Sequence, residues 1–150
     1  MHHELRTEIP IAAPPDLVWE TLTDLGAYPD WNPFIVSATG RVEVGERLRN
    51  RIHPPGGRAI TFTPTVTVVE AGAIFEWLGH LGLPGVFDGR HRFELTATGD
   101  GATLVSHSEQ FDGVLVRFMR SSLNTATMAG LEAMNDALKA RVEADVGGRA

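Results

Sequence analysis

The sequence predicts an α+β chain, a seven-stranded antiparallel sheet curved around one long carboxy-terminal helix, with two short helices between the first and second strands. Three observations carry that reading. The segment Leu5 to Ala12 alternates apolar and polar residues. Six further strand-like segments follow between residues 36 and 111, separated only by turn signals. The apolar period then lengthens from two to between three and four. Strands that follow one another without intervening helices pair antiparallel through hairpins.

In the first strand Leu5, Thr7, Ile9 and Ile11 share one face, and Pro10 favours a place near a sheet edge. Ala13-Pro14-Pro15-Asp16 starts a helix whose apolar positions are Leu17, Val18, Leu22 and Leu25 and which stops at Gly26. A second short helix over about Ala27 to Trp31 ends at Asn32-Pro33. The remaining strands are read as Val36–Val44, Arg47–His53, Ala59–Glu70, Ile74–Gly79, Arg90–Thr98 and Thr103–Phe111. The last segment, from about Val114 to Ala144, carries Leu123, Thr127, Leu131, Met134, Leu138 and Val142 on one stripe. Unbroken it would span about 45 Å, longer than the strands beside it, so a bend is expected near Ser121-Ser122 or Gly130. Residues 147–150 read as a frayed tail.

A chain of 150 residues suits one domain, ordered from about residue 4 to 144. No apolar run approaches the ~20 residues of a membrane span. A net charge of −6 and twelve scattered arginines offer no basic stripe for nucleic acid. The absence of cysteine removes disulfides, thiolate metal sites and cysteine nucleophiles. Met1-His2-His3-Glu4 lacks the pattern of a secretory signal, so a cytoplasmic location is expected. Monomer and homodimer both fit the sequence.

Alternation also assigns faces. Phe62, Pro64, Val66 and Val68 share one side of their strand, and Phe75 and Trp77 follow on the next. With Phe93, Phe111, Met119 and Met128 they would line a cavity for a flat or greasy ligand, or simply fill the core. In the opening aromatic group, Trp19 reads as core, while Trp31 stands between a hydrophobic plug and a cavity wall.

The polar residues on the inward face are more specific. Across a three-residue Gly99-Asp100-Gly101 loop, facing residue numbers sum to 200, so His91 meets Glu109 and Phe93 meets His107. A histidine beside an inward carboxylate is a candidate acid/base pair or a structural hydrogen bond. His91, His107 and Glu109 also compose a metal-like set, but no compact ligand spacing supports it, so neither metal nor cofactor is expected. The segment Gly79 to Gly89 holds four glycines beside Leu81, Leu83 and Phe87. It reads as a lid over the cavity or as a long hairpin loop.

The segments "IAAPPDLVWETLTDLGAYPDWNPF", "FDGRHRFEL", "SEQFDG" and "GLEAMNDALKARVE" resemble the polyketide cyclase-like branch of the START/Bet v 1-type (SRPBCC) superfamily over nearly the whole chain. The resemblance implies a helix-grip fold, in which the long helix closes a curved sheet around an apolar cavity. It implies a fold and not a reaction. The leading expectation is binding or carriage of a small hydrophobic molecule by Trp31, Phe62, Val66, Trp77, Phe93, His107, Phe111, Met119 and Met128. The alternative is a cyclase, aromatase or dehydratase using His91 and Glu109. A third is a protein-binding adaptor of co-chaperone type, since the superfamily includes such members.

Overall fold

The computed structural model describes residues 2–149. Its strands are β1 (His2–Ile11), β2 (Ile35–Thr39), β3 (Arg49–Ile52), β4 (Ile60–Phe62), β5 (Thr65–Glu70), β6 (Ile74–His80), β7 (Asp88–Ala97) and β8 (Thr103–Asp112). Helices α1 (Pro15–Thr23) and α2 (Tyr28–Trp31), joined by a 3₁₀ turn, lie between β1 and β2. At the far end α3 (Val116–Ser122), a π-helical turn (Leu123–Thr127) and α4 (Met128–Arg149) run without a break. The architecture is the expected helix-grip fold, with eight strands where seven were expected.

The eighth strand has a local cause. The expected strand Ala59–Glu70 is divided at Thr63-Pro64, because proline lacks the N–H that a continuous ladder needs. The curved sheet accordingly comes in two pieces, β1-β8-β7-β6-β5 and β2-β3-β4. They are laced at the break by Leu48 N–H donating to Pro64 O at 2.8 Å and Val66 N–H donating to Glu46 O at 2.9 Å. A β-bulge between Val66 and Val68 then changes the parity of β5. Val66 stays buried as expected, whereas it is Val69 rather than Val68 that packs against the core.

Gripping by the long helix follows the predicted stripe: Leu123, Leu131, Met134, Leu138 and Val142 are buried, and Thr127 is half-buried. The irregularity expected near Ser121-Ser122 is the π-helical turn directly after it. Residues 147–149, expected to fray, continue α4, and Ala150 lies outside the described residues.

The opening aromatic group is mostly structural. Tyr28 is fully buried with its hydroxyl donating to Leu22 O at 2.5 Å. Burial, reinforced by the Asp24 charge, pushes its phenol far up from the usual value. Trp19 meets Phe75 edge-on at 6.2 Å. Asn32 ends α2 by accepting the Phe34 and Ile35 N–H groups on its Oδ1 at 3.0 and 2.9 Å. That turn lays the Phe34 ring on Gly130 of α4, where a Cβ would come within 2.3 Å of the ring.

Gly130→Ala should therefore destabilise the protein. The gain in helix propensity is at most about 1 kcal/mol, while overpacking costs about 1–3 kcal/mol. Gly147→Ala, on the same helix with open space at its Cβ, should be neutral or slightly stabilising. Urea denaturation of both variants checks this, and a stabilised Gly130→Ala would contradict the packing.

Candidate functional site

A pocket of about 180 Å³ opens between the two pieces of the sheet. Asn50, Ile52, Ile60 and Phe62 of β3 and β4 form one wall; Trp77, Gly79, Gly89, Glu109 and Phe111 of β6, β7 and β8 form the facing one. Met119, Ser122, Leu123 and Thr127 close the helix side, and Phe34, Leu81 and Phe87 border it. The volume follows from an omission: Gly79 and Gly89 pair across β6 and β7 on the inward parity of Trp77 and His91. At Gly89 a Cβ would lie 3.3 Å from Glu109 Oε2, so that position leaves the carboxylate its room. The 81–87 segment is tied down by Val114 and Leu115 N–H donating to Gly85 and Val86 carbonyls, both at 3.1 Å. Phe87 packs on Phe111 at 5.5 Å, while Leu83 stays 74% exposed.

Behind the pocket wall runs a buried polar chain. His91 faces Glu109 and Phe93 faces His107, as the loop arithmetic predicts. The direction of each hydrogen bond can be deduced from one end. Thr7 Oγ1 spends its single hydrogen on His107 O at 2.8 Å, so it accepts from Asn135 Nδ2, also at 2.8 Å. Asn135 Oδ1 must then accept from His107 Nδ1–H at 2.7 Å, which leaves His107 Nε2 as an acceptor. His91 Nε2–H donates to it at 2.5 Å. The free ring nitrogen of His91, Nδ1, is thereby aimed at Glu109 Oε1, 3.5 Å away, within ion-pair reach but without a formed hydrogen bond.

The surroundings are aromatic. Trp77 stacks on His91 at 4.7 Å and Phe93 on His107 at 4.3 Å. Burial, then the neighbouring His91 charge, hold His107 well below the usual histidine range, against the opposing hydrogen bond with Asn135. His107 is thus neutral.

The structure brings Phe62, Trp77, Phe111, Met119 and Glu109 to the pocket. Val66, Phe93, His91 and His107 are buried behind its wall. Met128 packs half-buried against the core, and Trp31 borders a separate hollow of about 130 Å³ between α1 and α4. His91, His107 and Glu109 are neighbours, but both nitrogens of His107 are engaged. Among the described residues no three such groups converge as a metal site would require. Sequence reasoning missed Asn135 and Asn50. Asn135 sits one residue beyond Met134 on the buried stripe, and Asn50 lies between outward Arg49 and Arg51, which was a legible sign that it points inward.

The sequence profile of the family described as "polyketide cyclase / dehydrase and lipid transport" matches residues 2–143. The chain belongs to that family. No sequence among the curated proteins matches. Similar solved structures include the ZhuI aromatase/cyclase from Streptomyces sp. R1128, at 18% identity and a TM-score of 0.80 over 97% of this chain and 96% of that one. Norcoclaurine synthase of Thalictrum flavum reaches 0.74 at 18% identity, over 97% and 96% of the two chains. A START superfamily protein from Mycobacterium smegmatis reaches 0.68 at 21%, over 94% and 97%. At these identities the likeness is one of fold alone. No helix among the described residues is long and apolar enough to cross a membrane.

The buried chain has a pH signature. The unfolded histidine titrates near 6.5 and the folded His107 well below that. Between the two values the unfolded state binds more protons. The His107 contribution to stability is therefore complete above the unfolded value and lost as pH falls beneath it, by up to about 1.4 kcal/mol per pH unit. Denaturation at pH 7.5 and 5.0 should show that loss in the native protein and a smaller one in His107→Gln; equal losses would contradict the assignment.

Proposed function

We propose that the chain binds a small, largely apolar molecule in the pocket between the two sheet pieces. The observation that carries this is an aromatic-lined opening of about 180 Å³, walled by Phe34, Phe62, Trp77 and Phe111, with one carboxylate, Glu109, among its lining. For comparison, an enclosed apolar cavity of about 150 Å³ takes up benzene. The family description, which names lipid transport beside cyclases and dehydrases, supports the same reading.

A second reading has its own support. Glu109 stands at the pocket with His91 Nδ1 behind it at 3.5 Å. A carboxylate so placed can take a proton from the carbon beside a carbonyl and return it to oxygen, the chemistry of a cyclase or dehydratase acting on a poly-carbonyl chain. The pocket would hold that chain folded, with its reacting atoms near each other.

A hydrophobic fluorophore should bind the native protein near one to one and be displaced by flat apolar compounds. Trp77→Ala, which removes a wall, and Gly79→Val, which fills the floor, should each weaken it by roughly ten-fold, about 1.4 kcal/mol. Unchanged affinity in both variants would refute the pocket. On the enzymatic reading, Glu109→Gln should abolish turnover while fluorophore affinity stays within about three-fold. Turnover that survives Glu109→Gln would remove that reading and leave the binder.

A further inference from the structure

Asn50 lies on β3 facing the pocket, beside Phe62 in register, and is only 1% exposed. Neither its Nδ2 nor its Oδ1 has a hydrogen-bond partner among the described residues. A buried carboxamide left unpaired on both atoms is costly, and its neighbours on β2 and β4, Ala38 and Phe62, have no side-chain polar group to offer. Asn50 lines the pocket, so a molecule bound there can supply the partner that the described residues do not. We infer that Asn50 is the specificity-determining anchor of the pocket, and that the ligand carries a neutral edge with one hydrogen-bond donor beside one acceptor, as in a carboxamide, lactam or pyridone.

The geometry of the amide sets that class. Its N–H and carbonyl point the same way about 2 Å apart, so a single carbonyl or ether on the ligand satisfies one and strands the other. An adjacent donor and acceptor satisfy both in a cyclic pair. Charge narrows the class further. No Lys, Arg or His lines the pocket, and Glu109 does, so a carboxylate would enter uncompensated and beside a like charge. The rest of the lining is largely apolar and demands an apolar, ring-like body.

This inference rests on the binding reading above, and the test separates the two. Isothermal titration would compare 2-naphthamide, 2-ethylnaphthalene and 2-naphthoate, close in size and different at one edge; their rings fit because the pocket opens outward. Native protein should bind 2-naphthamide at least ten-fold tighter than the other two. Asn50→Leu should bind 2-ethylnaphthalene as well as or better than native protein, and 2-naphthamide at least ten-fold worse. If Asn50→Leu does not fold, Asn50→Ala carries the same comparison. Equal affinities for the amide and the hydrocarbon in native protein overturn the role of Asn50 and leave the pocket standing. A preference for the amide that persists in both variants also overturns it. If none of the three compounds binds, the binding reading falls and the inference with it.

Discussion

The hydrogen bond between His107 Nδ1 and Asn135 Oδ1 is the constraint on which the rest of the interior depends. It joins the long helix to β8, the strand beside the edge strand β1 of the five-stranded piece, and both groups are buried, so neither can be left unmet without the desolvation cost of a bare polar atom. Because Asn135 also donates to Thr7 of β1, the helix can take only one rotation against β1 and β8. The apolar stripe of α4 would tolerate a small roll; this polar pair does not. Everything along the chain toward Glu109 then inherits a direction, ending with a histidine nitrogen turned to the carboxylate at the pocket.

The pocket is made as much by missing atoms as by those present. Facing glycines on β6 and β7 remove two side chains from the inner face, and the break at Thr63-Pro64 lets β3 and β4 stand away from it. Beside it the core is closely packed. Phe34 lies against Gly130, and Phe75, Trp77, Phe93 and the two histidines form a continuous ring contact. A packed core around a local deficit is what a small-molecule site needs: rigid walls and little reorganisation on binding. The π-helical turn joins α3 to α4 beside that deficit, and its Leu123 and Thr127 line it. On the outer face, burial alone would raise the Glu76 carboxyl, but hydrogen bonds from Arg92, Thr67 and Arg90 hold it below its usual value. The inner and outer faces of β6 are thus each satisfied separately.

Much of this was legible in the sequence, for physical reasons. Period-two alternation and a short glycine loop determine register almost arithmetically, and His91 does face Glu109. The buried stripe of α4 followed from its period. Other features depend on contacts between segments far apart in sequence. The strongest bond of His91 goes diagonally to His107 rather than across to Glu109, which depends on sheet twist and ring orientation. Asn135 has meaning only once α4 is laid against Thr7. The bulge after Val66 moved an inward position from Val68 to Val69, and nothing in the alternating Thr and Val residues announces it. Met128 and Trp31 were assigned by hydrophobicity and proximity, which distinguish core from pocket poorly.

The central claim, that a directed buried hydrogen-bond chain orients the histidine behind Glu109, is tested most directly by imidazole nitrogen NMR at neutral pH. Long-range proton–nitrogen correlation spectra distinguish a protonated ring nitrogen from a bare one. The account predicts His107 neutral with its proton on Nδ1 and Nε2 bare, and His91 carrying a proton on Nε2. An Nε2–H tautomer of His107, or a His91 without a proton on Nε2, would reverse the chain and contradict the account.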